Sequence, residues 1–323
     1  MSVLEQFKLA DFESASARIR SHIRQTPLLK AKTLFQNPLP NGQLFLKLEN
    51  LQPTGSFKIR GAMNTLSILN EKEKKRGLIT ASGGNHGLAV AYAAFMAKVP
   101  SLIFLPTTTP KQKIDKLHSW GAKTSITGEV WDESNEAALQ AAKKNKMTYV
   151  HPFADARVIH GQGTIALEVI KSVPELDTLV VAVGGGGLIA GVAAAAKSMK
   201  PNIQVIGVEP VGAPTHFKSR AAGKVIKLDK IDTQAGTLAP KKTENLNFEL
   251  IQKHVDDLIL VDDISMQKAA EWLWFEFGIA AELSGAASIA ALSDKVFDTR
   301  AGNVCSIICG SGIDGIPLSL IHI

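Results

Sequence analysis

The chain has few cysteines, few aromatic residues and no long apolar run. Only two of its 323 residues are cysteines, Cys305 and Cys309; in an apolar run that predicts a strand they stand roughly 13 Å apart, too far for a disulfide. Aromatic residues make up 6%, which argues against base-stacking platforms for nucleic acid. No apolar stretch approaches the roughly 18 residues of a spanning helix, and the N-terminal segment lacks the apolar core of a secretory signal. The sequence therefore predicts a cytoplasmic protein with no membrane partner.

The charge of the chain is mildly positive. There are 36 basic and 30 acidic residues, a formal net charge of +6 and a pI near 9.2. The basic residues are scattered, and the one notable run, EKEKKR at residues 71–76, mixes both signs and is typical of a solvated helix end. No nucleic-acid partner is predicted, whereas a mild positive field suits an anionic cofactor and a carboxylate substrate.

Short apolar runs rich in β-branched residues alternate with Ala-rich segments of helical period. This alternation is typical of an α/β fold, a mostly parallel sheet covered by helices. The length suits two lobes of about 100 to 200 residues each. A continuous series of strands and helices predicts a small domain at residues 76–150 and a large domain built from residues 1–75 and 151–323. The predicted strands include residues 44–50, 77–82, 101–106, 178–184, 203–210 and 303–310.

The segment NLQPTGSFKIRGA at residues 50–62 contains the first candidate for chemistry. Its Pro, Thr, Gly and Ser predict a turn and cap before a helix that opens near Phe57, which places Lys58 in the first helical turn. The helix dipole disfavours an ammonium there, and a neutral amine is the form that attacks an aldehyde. An ordinary surface lysine at a helix start is the alternative.

The segment VVAVGGGGLIAG contains four consecutive glycines between an apolar strand and a helix of small residues: Gly184, Gly185, Gly186 and Gly187. Unhindered amides at a helix N-terminus bind anions. The spacing is neither the GxGxxG of dinucleotide folds nor a nucleotide P-loop, so the pattern favours a phosphate monoester. Close packing of the helix on the strand is the alternative reason for some of these glycines.

The segment ITASGGNHG at residues 79–87 again predicts a strand, a tight loop and a helix. Ser82, Asn85, His86 and the amides around Gly83 and Gly84 are suited to hold a carboxylate or a phenolic oxygen. Capping is the alternative for Asn85. His86 favours a structural role, because no neighbouring carboxylate in the sequence would orient it as an acid or base.

The segment IICGSGIDG at residues 307–315 predicts a buried strand that breaks into a glycine-rich turn. Cys309 stands at the carboxyl end of this strand, the edge where open α/β sheets bind ligands. A buried cysteine that acts only as a small apolar side chain is the alternative.

In this order, the four segments resemble the fold-type II pyridoxal phosphate enzymes, specifically the serine/threonine dehydratase and serine racemase group. The resemblance covers nearly the whole chain, from RIRSHIRQTPLL to ICGSGID. SFKIRGA is its most specific motif, since the related cysteine and threonine synthases usually have an aspartate where Ile59 stands. The resemblance implies a two-lobed fold like that of the tryptophan synthase β subunit, with pyridoxal 5'-phosphate bound by the large domain and with a homodimeric assembly.

The same resemblance assigns roles residue by residue. Lys58 is expected to hold the cofactor as a Schiff base and to serve as the catalytic base. The other cofactor-binding residues are expected to be Phe57, Asn85, Gly184, Gly185, Gly186, Gly187, Leu188, Glu282 and Cys309. Substrate is expected to be bound by Ser82, Gly83, Asn85, His86 and Gly236.

Two positions depart from relatives of this group. Racemases have a serine where Gly83 stands, and glycine has no proton to give to the second face of the substrate, so efficient racemisation is not expected unless another group substitutes. Relatives also bind a divalent cation through a glutamate, a backbone carbonyl and a second carboxylate. Glu209 and Ala213 match the first two, but Thr215 replaces the second carboxylate, so the divalent-cation site that the resemblance implies lacks one charged oxygen ligand.

The predicted activity is β-elimination from L-threonine, L-serine or both, which gives 2-oxobutanoate or pyruvate plus ammonia. The resemblance implies that the side chain of Cys309 faces the pyridine nitrogen of the cofactor. A neutral thiol there makes the ring a weaker electron sink, and elimination tolerates this better than transamination does. A serine racemase, a dehydratase of another β-hydroxy amino acid such as 3-hydroxyaspartate, and a non-catalytic anion-binding protein stay open. Because the sequence stops soon after the last glycine turn, feedback inhibition by an end-product amino acid is not expected.

Overall fold

The computed structural model describes residues 3–32, 34–294 and 302–312. Two sheets form the framework of these residues. The strands are β1 (Leu28–Lys30), β2 (Gln43–Lys47), β3 (Leu78–Ala81), β4 (Ser101–Leu105), β5 (Lys123–Ile126), β6 (Thr148–Tyr149), β7 (Thr178–Ala182), β8 (Gln204–Pro210), β9 (Asp257–Val261) and β10 (Asn303–Ile307).

Helices alternate with most of these strands, as the alternation of apolar runs and Ala-rich segments predicts. Glycine or a left-handed residue ends several of them, for example Gly223 and Gly278. The α-helices are α1 (Leu9–Ile19), α2 (Lys58–Ser67), α3 (Glu71–Arg76), α4 (Asn85–Ala97), α5 (Lys111–Ser119), α6 (Trp131–Asn145), α7 (Ala156–Ser172), α8 (Gly187–Met199), α9 (Thr215–Ala222), α10 (Asn245–His254), α11 (Asp263–Phe277) and α12 (Leu283–Ser293).

The larger sheet has the strand order β1-β2-β10-β7-β8-β9, and the smaller one the order β5-β4-β3-β6. All pairs are parallel except β1 with β2. Because parallel strands end at one edge of a sheet, the loops that follow β7 and β10 lie near each other. The predicted α/β class is confirmed.

The four strands of the smaller sheet all lie between Leu78 and Tyr149, within the predicted small domain of residues 76–150. The boundaries of the two domains stay a prediction. Each sheet has its own apolar core, and the Ala-rich helices α8 and α12 are almost entirely buried around the larger sheet. Short alanine side chains let these helices approach the strands closely.

Each of the six predicted strands has fewer residues in the structure, and two of them end three residues early. β2 ends at Lys47, and Glu49–Leu51 form a 3-10 turn. β10 ends at Ile307, so Cys309 lies two residues beyond the last paired position. In the part of the chain that the structure describes, no helix is both long and apolar enough to cross a membrane.

Candidate active site

Lys58 is the first residue of α2, as predicted, with Phe57 at the N-cap position. Its Nζ donates to the carbonyl oxygen of Pro152 at 2.7 Å and lies 5.1 Å from the centre of the Phe57 ring. The side chain is partly exposed, which gives a ligand access. Burial of its surroundings lowers the pKa of Lys58 from 10.5 to about 8, against the opposing effects of Cys309 and Glu282. A substantial fraction of this amine is therefore neutral near physiological pH.

A buried ion network centred on Arg60, two residues after Lys58, fixes the helix that contains Lys58. Arg60 is fully buried; its Nε donates to Glu49 and its Nη1 to Glu168, both at 2.7 Å. Lys47 donates to the same Glu168 at 2.6 Å. Since a buried charge is tolerated only with well-placed partners, the network ties the start of α2 to β2 and α7.

The four glycines form a tight connection between β7 and α8, which we call the glycine loop (Gly184, Gly185, Gly186 and Gly187). Gly186 has φ +91°, a conformation that favours glycine. Within the described part of the chain, the backbone N–H groups from Gly185 to Leu188 donate to no protein acceptor. Free amides at the N-terminus of a 13-residue helix are the chemistry that an anion needs.

Packing explains every glycine of this loop. A Cβ atom on any of the four would come within 3.0 Å of Phe153, His216 or Thr237. Close packing therefore explains the glycine at all four positions. The run of glycines alone is not evidence that the loop binds an anion. The free amides are the feature that points to a ligand.

The loop between β3 and α4 is more open, and we call it the serine loop (Ser82, Gly83 and Gly84). The amide of Gly84 donates to the Oγ of Ser82 at 3.2 Å, and a Cβ on Gly84 would meet nothing within 4 Å. A Cβ on Gly83 would lie 2.6 Å from the Oγ1 of Thr109. The loop residues are partly exposed, as the walls of a cleft are.

Asn85 and His86 begin α4 beside this loop. The Nδ2 of Asn85 donates to Glu282 Oε1 at 2.7 Å; neither side chain caps a helix, although Glu282 occupies the N-cap position of α12. The Nε2 of His86 contacts the carbonyl oxygen of Val150 at 3.0 Å. Burial, and then the nearby Lys58 charge, lower the pKa of His86 to about 3, so its ring is neutral.

Cys309 approaches Lys58 from the end of β10. The amide of Phe57 donates to the carbonyl oxygen of Cys309 at 3.1 Å, and the Cys309 thiol donates to the carbonyl oxygen of Ser284 at 3.5 Å. Burial, and then Glu282, raise the pKa of Cys309 well above its ordinary value. The thiol therefore stays neutral. Residues 313–315 of the predicted glycine-rich turn lie outside the described residues.

The residues predicted to hold a cation are occupied in other contacts. Both carboxylate oxygens of Glu209 accept backbone amides, those of His216 and Phe217, at 2.7 Å. Burial raises the pKa of Glu209 to about 8. The hydroxyl of Thr215 donates to the carbonyl oxygen of Pro240 at 2.7 Å, and Ala213 is buried nearby. Among the described residues, no three acidic, histidine or cysteine side chains converge as a metal site would require.

Gly236 begins a short 3-10 turn that reaches the glycine loop, since the carbonyl oxygen of Thr237 would be 2.8 Å from a Cβ on Gly184. Several neighbours of the site were not predicted from the sequence. Phe153 packs against the glycine loop, and Thr243 and Asn247 donate to the carbonyl oxygen of Gly185. No motif marks these residues, because their role depends on which distant segments the fold brings to the glycine loop.

Known proteins resemble this chain over most of its length. The family model for "Pyridoxal-phosphate dependent enzyme" matches residues 19–310. The chain belongs to this family. The L-threonine ammonia-lyase of Thermotoga maritima is 40% identical over 306 residues, 95% of this chain and 76% of that protein. Threonine deaminase isoform 2 from Solanum lycopersicum superposes with a TM-score of 0.91 at 34% identity, covering 99% of this chain and 91% of the other, and maize serine racemase superposes with a TM-score of 0.90 at 32% identity, covering 97% and 95%.

The residues present fit the cofactor of this pyridoxal-phosphate-dependent family. Lys58 is an accessible amine with a lowered pKa, and the glycine loop offers free amides for a phosphate. The Oγ of Ser56 and the Nδ1 of His86 are buried and have no hydrogen-bond partner among the described residues. Buried polar atoms without partners are rare in folded proteins, and those two lie in the segments next to Lys58 and Asn85. The site thus has both the reactive amine and unsatisfied polar groups.

Proposed function

We propose that this chain is a pyridoxal-phosphate-dependent ammonia-lyase that converts L-threonine, L-serine or both to 2-oxobutanoate or pyruvate plus ammonia. One observation carries the proposal: a partly exposed lysine with a pKa near 8 lies at the start of α2. Its Nζ donates to Pro152, which precedes the Phe153 that packs on the glycine loop. It also interacts with Glu282, which accepts from Asn85 beside the serine loop. The names of the relatives, L-threonine ammonia-lyase and threonine deaminase, support the choice of reaction.

In this proposal Lys58 would hold the cofactor covalently, amides from Gly185 to Leu188 would receive its phosphate, and Phe57 would pack beside it. Asn85 has a second amide hydrogen besides the one given to Glu282, and this hydrogen is free to meet the phenolic oxygen of the cofactor. The neutral Cys309 thiol would lie toward the pyridine nitrogen and would offer it no acidic proton. When bound, the cofactor supplies an electron sink for charge that develops at the substrate Cα.

The substrate carboxylate is held in this proposal by Ser82, by amides of the serine loop and by the start of α4, with His86 and Gly236 lining the same side. Lys58 Nζ, once it no longer holds the cofactor, removes the Cα proton as general base. Loss of this proton and of the β-hydroxyl amounts to loss of one water. Hydrolysis of the released product returns one water and frees ammonia and the 2-oxo acid.

Serine racemisation is the second candidate function, favoured by the likeness to maize serine racemase. Gly83 offers no proton donor, but the hydroxyl of Thr109 lies where a side chain at Gly83 would project. In a racemase, this hydroxyl would have to give the proton that the serine of other racemases gives to the second face of the substrate. A dehydratase of another β-hydroxy amino acid, such as 3-hydroxyaspartate, differs only in the substrate side of the cleft.

The same proposal includes a cytoplasmic homodimer. Phe35 is 92% exposed and Phe275 is 83% exposed. The carboxylate of Glu276 accepts the amides of Phe35 and Gln36, which brings the two aromatic side chains to one region of the surface. Exposed aromatic residues at a common place suit a protein interface. Light scattering of the Phe35→Ser/Phe275→Ser variant tests it: retention of a dimer would contradict this choice of surface.

The test of the proposed activity follows purified protein with L-serine, L-threonine and their D-forms. We expect cofactor absorbance in the visible range, release of 2-oxo acid from an L-hydroxyamino acid, and no enantiomer in the remaining substrate. Enantiomer formation would favour the racemase. Absence of cofactor binding would contradict both and favour a non-catalytic protein.

A further inference from the structure

We propose that Asn247 is a positioning residue that fixes the glycine loop for the cofactor phosphate, assisted by Thr243. The inference deepens the proposed function, since it rests on that loop receiving the phosphate. Neither residue belongs to a motif of the site: Asn247 lies in the first turn of α10 and Thr243 just before that helix. Both side chains are fully buried.

The two side chains converge on one atom. The Nδ2 of Asn247 donates to the carbonyl oxygen of Gly185 at 2.7 Å, and the Oγ1 of Thr243 donates to the same oxygen at 3.1 Å. The carbonyl of Gly185 and the N–H of Gly186 belong to one planar trans peptide, so they point in opposite directions. Holding the carbonyl on the side of α10 therefore turns the amide of Gly186 to the other side, away from α10.

Such control is needed because glycines have wide conformational freedom. A run of four costs more entropy to order than any other sequence of this length, and an anion site needs its amides fixed before the anion arrives. Phe153 and His216 limit the volume of the loop, but contact alone does not choose between the two faces of a peptide plane. Directional hydrogen bonds to the Gly185 oxygen make that choice.

Asn247 also connects the loop to the segment next to Lys58. Its Nδ2 makes a second contact, to the carbonyl oxygen of Phe153 at 3.2 Å. The preceding residue, Pro152, accepts the hydrogen bond from Lys58 Nζ. One amide group thus sets the position of the phosphate side of the site relative to the lysine side.

The test compares Asn247→Leu, Thr243→Val and the control Asn245→Ala, in which an exposed residue of the same helix turn is changed. Each purified protein is stripped of cofactor and titrated with pyridoxal 5'-phosphate, with pyridoxal, which lacks the phosphate, and with inorganic phosphate. Loss of the two Asn247 bonds is expected to weaken cofactor binding about ten-fold or more, and loss of the Thr243 bond about three-fold. Asn245→Ala should bind as the unchanged protein does.

The phosphate-free probe separates positioning from general damage. Affinity for pyridoxal should fall less than affinity for pyridoxal 5'-phosphate in Asn247→Leu and Thr243→Val, because the lost hydrogen bonds to the Gly185 oxygen act on the loop that receives the phosphate. Equal affinity of Asn247→Leu and the unchanged protein for pyridoxal 5'-phosphate would overturn the proposal, and so would an equal loss for both aldehydes. If Asn247→Leu does not fold, Thr243→Val decides alone by the same comparison. These outcomes do not depend on 2-oxo acid production, so failure of the proposed reaction is recognised separately.

Discussion

The glycine loop and the serine loop each connect a parallel strand to a helix N-terminus, but the protein surrounds them differently. In the glycine loop every position is in contact with a side chain or backbone group that excludes a Cβ, and α10 holds the Gly185 carbonyl. In the serine loop Gly84 has open space around it, and its amide donates to the adjacent Ser82. A packed loop suits a group that stays bound through many turnovers. An open loop suits a ligand that enters and leaves in each one.

In the proposed function Lys58 holds the cofactor bound at the glycine loop and acts on the substrate bound at the serine loop. Its removal should therefore give the largest effect. Lys58→Ala is expected to lower 2-oxo acid production about 10³-fold or more, because the variant lacks the amine proposed to hold the cofactor and to act as base. Lys58→Arg is the matched control: it keeps the positive charge, but a guanidinium stays protonated, so we expect the same loss. Turnover by either variant, measured as 2-oxo acid released per protein, would remove Lys58 from the mechanism.

The contrast between the loops predicts unequal responses to one added methyl group. Gly185→Ala places a Cβ 2.3 Å from the Phe153 ring, and the resulting overpacking should weaken cofactor binding about 10- to 100-fold. Gly84→Ala meets nothing within 4 Å and should leave cofactor affinity within about two-fold. Cofactor titration of both proteins, with melting temperatures as a check on folding, decides the matter. Similar losses in the two would show that the serine loop is as tightly packed as the glycine loop.

The lowered pKa of Lys58 predicts how the lysine end of the site depends on pH. The folded-state pKa of about 8 lies below the ordinary 10.5, so the reactive neutral amine is already the major form above pH 8. The rate at which cofactor-free protein captures pyridoxal should rise about ten-fold per pH unit well below 8 and level off above it. A rate that keeps rising to pH 10 would mean that burial does not shift this amine. Lys58→Ala supplies the background rate.

A small effect on substrate binding is expected at Gly83, the position of the serine loop that packs against Thr109. Gly83→Ala would bring a Cβ to 2.6 Å from the Thr109 hydroxyl, a side chain that can rotate, so we expect only an approximately three-fold rise in KM for the L-amino acid and little change in kcat. Adding Thr109→Ala to this variant should recover most of the loss. If the double variant is worse than either single one, the conflict is not between these two groups.

The sequence predicted the parts of the molecule that depend on local chemistry. The turn before Phe57, the helix start at Lys58, the strand ahead of the four glycines and the α/β alternation all follow from residue type and period, and the structure has them. Strands β5 and β6 lack an apolar run and are partly exposed. No period-based rule would mark them.

The parts that the sequence did not predict depend on contacts between distant segments. The sequence did not predict that Asn247 contacts Gly185, 62 residues away. Asn85 and Glu282 were both named by the resemblance, but the hydrogen bond between them, across 197 residues, was not predicted. Thr109 follows an unremarkable turn, and only the folded chain shows that its hydroxyl lies beside Gly83. The order of elements along the chain does not say which helix folds back on which loop.

The position of β10 in the larger sheet links the site to the order of synthesis. This strand, at residues 303–307, lies between β2 and β7, so it joins an early part of the chain to a middle part. A ribosome makes the chain from the N-terminus, and Lys58 emerges long before β10 does. Until β10 emerges, β2 lacks the parallel strand that pairs with it. Cys309, whose carbonyl oxygen accepts the amide of Phe57, has not yet been synthesised. A chain interrupted before residue 303 therefore contains its reactive lysine without the wall that completes the site.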